Sequence, residues 1–325
     1  MDQSLSIGLT LGSGGARGWA HVGVLRALDE LGVRPDVVAG ASIGAVVGGA
    51  YLIDQMPAFE AWARAFSPLS ALRSFRLDWG KGGVVETSRA FDAFRESDRR
   101  IEELDRAFGV VAADLATGEQ VWISRGSVLD AARASSAVPA LFQAVEREGR
   151  WLVDGALANP LPVDLTRSLG ADVVLAVDLN AHPRLLKRFD RPPASPPVVH
   201  ARRPGPLRTD ALPPAIRSLI EDTQRYVTDQ LDFARARQRA KPHFFETALA
   251  SVDIFQTHLT RGNLVQNPPD VHIRPRVQDA PIDAFDNADP FIEEGYRATM
   301  EERGAILEAT AGKRADAPQT AASKP

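Results

Sequence analysis

Short apolar runs alternate with stretches in which apolar residues recur every three or four positions, and the alternation persists to about residue 180. Ser4 to Leu11 alternates small or polar residues with Leu5, Ile7, Leu9 and Leu11, which predicts a first strand. Ala20, Val24, Leu25, Leu28 and Leu31 then fall at helical spacing, and Gly32 closes that helix. Pro35 leads into the apolar run Asp36 to Ala39, a buried strand, and Ala45 to Leu52 continues as a helix of small residues. Phe108 to Ala113 predicts another strand, with Gly118 turning into a hairpin partner, Glu119 to Ser124. Ser127 caps a short helix, Val128 to Ala134. Arg150 to Asp154 is a strand, Val163 to Leu169 a helix and Ala171 to Asp178 the next core strand. Strands alternating with helices argue for an α/β fold with a mainly parallel, helix-covered sheet.

Elsewhere the pattern is looser. Met56 to Val85 is rich in large apolar residues with arginines interspersed; it fits an amphipathic cover over the sheet or a lid hinged at Gly82-Gly83. Ser88 to Arg106 predicts a charged helix. Pro183 to Arg208 carries seven basic residues against one acid, Asp190, with prolines throughout, and cannot build a core. It is either a solvated linker or a basic arm for anionic headgroups. Helical periodicity resumes from Pro214 to Arg239 and from Ala248 to Leu264. Asp270 to Pro275 predicts a returning strand, and Asp289-Pro290 opens a final helix reaching about Ala311. The expected organisation is an α/β core at 1–182, a linker at 183–213, a helical excursion at 214–264, a return to the core at 265–311 and a disordered tail at 312–325.

Composition narrows the chemistry. In 325 residues with a formal net charge of −4, nothing global favours nucleic acid as a partner. There is no cysteine, so thiolate nucleophiles, disulfides and cysteine zinc sites are excluded, and a reducing cytoplasm fits. The N-terminus has no signal-peptide pattern. The longest apolar stretch, Val37 to Ile53, contains Ser42 and four glycines and falls short of a membrane span. Membrane contact is therefore expected only from outside, through 183–208, and oligomeric state is not set by the sequence.

Two glycine-flanked sites stand out. Gly12-Ser13-Gly14-Gly15-Ala16-Arg17-Gly18 follows the first strand and opens a helix. It is not a dinucleotide fingerprint, because Arg17 holds the third glycine position and no acid ends the next strand. It also lacks the lysine of a phosphate loop. What remains is an anion nest, with Gly14 and Gly15 as N–H donors. Gly40-Ala41-Ser42-Ile43-Gly44, between strand and helix, has the form of a nucleophile elbow, although a helix N-cap has the same residues. A nucleophilic serine needs a base. None of the six histidines (His21, His182, His200, His243, His258, His272) stands at the end of a core strand among glycines. Asp154 does, directly before Gly155, where it is either an Asx-turn former or a carboxylate that accepts the serine proton. No acidic cluster suggests calcium.

Taken together, Gly12 to Gly18, Gly40 to Gly44 and Asp154-Gly155-Ala156 resemble the motifs of the patatin-like phospholipases, in the family's order. The likeness covers roughly residues 5 to 180 and resumes near 269 to 302. This chain carries Ser13 where many members have glycine. The resemblance implies a three-layer α/β/α sandwich and hydrolysis of lipid or phospholipid acyl esters without metal or cofactor. It implies a Ser42 nucleophile, Asp154 as base and acid, and an oxyanion held by Gly14 and Gly15 with Arg17 close by and the Ile43 N–H contributing.

Overall fold

Strands β1 (Ile7–Leu11) and β2 (Val37–Ala41) are buried along their whole length, which suits the interior of a parallel sheet with both faces covered. In the computed structural model, which describes residues 5–65, 76–78, 84–86, 94–139, 142–181, 244–278, 280, 285 and 287–311, they form the centre of such a sheet. β9 (Val173–Val177) and then β10 (Val271–Ile273) extend it in parallel beyond β1, and β5 (Ala107–Asp114) extends it in parallel beyond β2. β6 (Gln120–Ile123) and the hairpin β7 (Val145–Arg147) with β8 (Arg150–Asp154) add antiparallel pairings at the β5 end.

The register on β5 sets up the site. β2 pairs with Ala107 to Val111 of β5, and β8 pairs with Ala112 to Asp114. β6 pairs with Val110 to Ala113, overlapping both, so it holds the opposite edge. A strand has only two edges; β8 therefore takes up the edge of β5 where β2 leaves it. The ends of β2 and β8 meet head to head, Ala41 opposite Val111 and Asp154 opposite Ala112.

The two faces of the sheet are covered separately. Leu9, Val38, Phe108 and Leu175 pack with Val24 and Leu28 of α1 (Ala20–Glu30), Val47 of α2 (Ile43–Leu52), Ala131 of α4 (Val128–Ser135) and Ile292 of α7 (Asp289–Glu301). On the other face, Ala39 and Val111 pack against Leu165 of α5 (Val163–Ser168), and Val37, Val174 and Ala176 against Val163. Leu264 of α6 (Phe244–Gln266) joins this second face. The result is a three-layer α/β/α sandwich around a mainly parallel sheet.

Three elements differ from expectation. Residues 94–106 form two short 3-10 turns instead of a charged helix. The reason is tertiary: Asp98 accepts from the Ser127 hydroxyl at 2.6 Å and from the Leu129 N–H at 3.1 Å, and Ile101 N–H donates to the Gly126 carbonyl, which fastens the segment to the start of α4. β7 was not expected; it turns into β8 through Glu148 and Gly149, both at positive φ. The final helix breaks at Glu302 into α7 and α8 (Arg303–Ala309).

Of Met56 to Val85, the structure describes α3 (Met56–Ala65) and the antiparallel pair β3 (Arg76–Asp78) and β4 (Val84–Glu86). The lid hinge Gly82-Gly83, the basic segment 183–208, the helix expected at 214–239 and the tail 312–325 lie outside the described residues. The chain divides into a unit of residues 1–184 with 252–325 and a unit of 185–251. Residues 252–264, expected in the helical excursion, thus belong to the unit that carries the sheet. Of the second unit, the helical turns 244–251 are described. Among the described residues no helix is long and apolar enough to cross a membrane.

Candidate active site

The elbow is built by backbone contact. A Cβ on Gly44 would lie 2.1 Å from the Leu11 carbonyl oxygen and 2.8 Å from that of Gly12, and one on Gly40 would lie 2.5 Å from the Gly44 carbonyl carbon. Only glycine permits this approach of α2 to the end of β1. Ser42, between them, has φ 55 and ψ −124, a conformation that L residues adopt at a cost of about 1–3 kcal/mol when held by their surroundings. Ser135 holds it: its hydroxyl accepts from the Ser42 N–H at 2.9 Å and donates to the Val111 carbonyl at 2.6 Å. The Ser42 carbonyl starts α2, accepting from the N–H groups of Ala45 and Val46. Ser42 is therefore the residue before the helix, but its side chain caps nothing.

That side chain instead meets the end of β8. Ser42 Oγ donates to Asp154 Oδ2 at 2.6 Å, and Asp154 Oδ1 accepts from the Ala156 N–H at 2.8 Å. The Asx-turn and the serine contact, alternatives at the level of sequence, thus coexist, one on each carboxylate oxygen. Asp154 is buried, and this desolvation pushes its carboxyl up to about 6 against the opposing pull of the Ser42 and Ala156 hydrogen bonds. Such a group exchanges a proton near neutral pH. Gly155 is needed where it is, since a Cβ there would stand 2.0 Å from the Val111 carbonyl oxygen.

The glycine loop is fastened at many points. Gly12 N–H donates to the Val177 carbonyl and Ser13 N–H to the Pro160 carbonyl. His21, fully buried, has its imidazole pushed down to about 4 by desolvation, so it is neutral, and its Nε2–H donates to the Gly12 carbonyl at 2.8 Å. Gly14 and Gly15 open a 3-10 turn (Gly15–Trp19), so their N–H groups have no carbonyl behind them in the turn; the same holds for Ile43 at the start of α2. The turn packs on α2, where Gly18 faces the Ile43 side chain so closely that a Cβ would fall 2.2 Å from it.

Ser42, Asp154, Gly155 and Ala156 are thus brought together, and Gly12, Gly18, Gly40 and Gly44 shape the ground beside them. Arg17, expected close to the oxyanion, is held by hydrogen bonds from both its backbone and its side chain. Its N–H donates to the Gly14 carbonyl, its Nε to the Ala280 carbonyl at 3.0 Å, and an Nη to buried Asp253 at 2.8 Å. Among the described residues no histidine bonds to Ser42 or Asp154; His272 lies on Asp178 at 3.1 Å. No group of three His, Asp or Glu residues is placed to hold a metal among the described residues. Ser135 was not singled out in the sequence, although a Ser135-Ser136 pair ending an alanine-rich helix is the available signal.

Residues 9–167 match the family described as patatin-like phospholipase. The chain is 39% identical over 181 residues to an uncharacterized NTE family protein of Mycobacterium tuberculosis, covering 55% of this chain and 50% of that one. It is 34% identical over 184 residues to Lysophospholipase nte1 of Emericella nidulans, covering 54% of this chain and 12% of that one. It is 36% identical over 226 residues to an uncharacterized NTE family protein of Mycobacterium bovis, covering 66% and 37%. The chain thus spans half the length of the first of these relatives and less of the others. Among solved structures, VipD from Legionella pneumophila aligns with a TM-score of 0.45 and 14% identity over 93% of this chain and 67% of that one. Residues 9–167 of this chain belong to the patatin-like phospholipase family.

Proposed function

We propose that this patatin-like segment hydrolyses the carboxylic esters of lipids, in the manner of a phospholipase A or lysophospholipase, through a Ser42–Asp154 dyad and an acyl-enzyme. The observation that carries the reading is the 2.6 Å hydrogen bond from a strained, elbow-mounted serine to a buried carboxylate raised to about 6. The name of the Emericella nidulans relative, a lysophospholipase, is consistent with it.

Asp154 takes the Ser42 hydroxyl proton as Oγ attacks the ester carbonyl carbon. The negative charge that develops on the carbonyl oxygen is met by the N–H groups of Gly14, Gly15 and Ile43, aided by the N-terminus of α2. Collapse of the tetrahedral intermediate breaks the ester C–O bond, and protonated Asp154 gives its proton to the departing alcohol. A water then enters, Asp154 takes one of its protons, and attack on the acyl-enzyme releases the fatty acid and restores Ser42. No metal or cofactor enters these steps.

The test is hydrolysis of a short-chain ester and of a phosphatidylcholine dispersion by the wild type and Ser42→Ala, together with labelling by a fluorophosphonate probe. Wild-type activity, labelling at Ser42 and loss of both in Ser42→Ala are expected. A folded wild type that neither hydrolyses nor labels would instead be a lipid-binding protein that keeps the fold.

A further inference from the structure

Helix α6 buries polar residues where a helix packed on a sheet domain ordinarily buries apolar ones. Asp253, Gln256, Thr260 and Asn263 follow at spacings of three and four, so they form one stripe. Asp253, Gln256 and Thr260 are buried, and Asn263 is half-buried. Ile254 and Phe255, off the stripe, are exposed. Burying a polar group is costly without a partner, and for Asp253, Gln256 and Asn263 the partners come from the two loops that flank Ser42. Asp253 holds the Arg17 guanidinium at 2.8 Å. Gln256 Oε1 accepts from the Ser13 hydroxyl at 2.8 Å, and Asn180 Nδ2 closes the group by donating to the Ser13 carbonyl at 3.1 Å. Asn263 donates to Asn159 at 3.1 Å, and the Asn159 N–H is bonded to the Gly155 carbonyl of the acid loop.

We infer that α6 is a positioning helix for the catalytic loops, with Gln256 and Asp253 setting, through Ser13 and Arg17, where the Gly14 and Gly15 N–H groups point. The inference rests on the hydrolase reading above. Ser13 and Arg17 bracket those two glycines in sequence, and both side chains are anchored to one helix face. The loop therefore cannot shift toward or away from Ser42 without breaking a buried pair. It also explains the one departure of this chain from the family's glycine motif: Ser13 has a dedicated acceptor. In this role Arg17 acts by holding the loop through its bonds to Asp253 and the Ala280 carbonyl.

The experiment uses the full chain and compares wild type with Gln256→Met, Ser13→Ala, the double variant, Gln256→Glu and Asp253→Asn. Active sites are counted by fluorophosphonate labelling taken to completion, so that kcat is expressed per competent serine. Gln256→Met is expected to lower kcat about tenfold or more with KM within about twofold, because donors displaced from a developing oxyanion lose transition-state stabilisation. Gln256→Glu, which keeps an acceptor for Ser13, restores most of that loss. The double variant falls no further than the worse single one, as expected for one shared interaction. Ile254→Ser, on the exposed face, leaves kcat unchanged. If Gln256→Met does not fold, Ser13→Ala and Asp253→Asn read the same two anchors from either side. Unchanged kcat per labelled serine in Gln256→Met, or in Ser13→Ala and Asp253→Asn together, overturns the role of α6 and leaves the hydrolase reading standing. Failure of the wild type to label overturns that reading, and this role with it.

Discussion

Helices α2 and α6 both meet the glycine loop, and they do so by opposite means. α2 comes in by backbone proximity, with Gly40 and Gly44 allowing carbonyl contacts no other residue could make and Ala45 and Val47 closing the core behind. α6 comes in by polar side chains, of which Asp253, Gln256 and Asn263 are each paired with a group on a loop beside Ser42. Close packing tolerates few alternatives and positions Ser42 absolutely. Buried polar pairs instead specify which residues of the loop lie where, because a mismatched pair leaves a group unsatisfied. Ser42 is set by shape, and the glycine loop by hydrogen-bond identity.

The sharpest way to test the shape side is its chemistry. Asp154→Asn keeps the size of the side chain but removes the proton acceptor, and kcat/KM for a short-chain ester should fall on the order of 10³- to 10⁴-fold. In the wild type, kcat/KM should decline below about pH 6 as Asp154 is protonated; a profile flat down to pH 4.5 would rule out Asp154 as base. The same carboxyl works against stability at neutral pH. Its folded value is above the ordinary carboxylate value, so the native state binds the proton more tightly, and stability is lost as pH rises through the window between about 4 and 6. Asp154→Asn should therefore unfold at higher denaturant than wild type at pH 7 while being nearly inactive.

A smaller effect is expected from shape alone. Gly44→Ala places a Cβ against two carbonyl oxygens, and denaturant unfolding should show a loss of about 3 kcal/mol. An alanine accepted there at no cost would mean that α2 is not fixed by backbone contact. Smaller again is Ser135→Ala, which removes the acceptor for the Ser42 N–H; about a tenfold fall in kcat with little change in KM should appear in steady-state kinetics. The smallest expected change is a gain. Ser42→Gly relieves the positive φ and should raise stability by about 1 kcal/mol, visible as a higher melting temperature of an inactive protein. If Ser42→Gly is destabilising, the strain at the elbow is not real.

The sequence alone was enough to place β1, α1, β2, α2, β5, α4, β8, α5 and β9 because each carries its burial in its own periodicity, and Gly12 to Gly18, Gly40 to Gly44 and Asp154-Gly155 because a glycine run beside a lone polar residue is anomalous in an apolar context. Periodicity reports which face of a segment is buried. It does not report against what. That is why the periodicity of 94–106 predicts a helix where Asp98 ties the segment to the start of α4, and why a short charged stretch carries no signal for β7. It is also why α6 gave no functional signal: its polar stripe looks like a solvated face until Ser13, 243 residues away, is found bonded to Gln256. The identity of Ser42 and Asp154 as candidates was local information. Their 2.6 Å contact was decided by tertiary structure, because it depends on β8 taking the edge of β5 that β2 gives up, which brings together two residues 112 apart in sequence in a way no local pattern encodes.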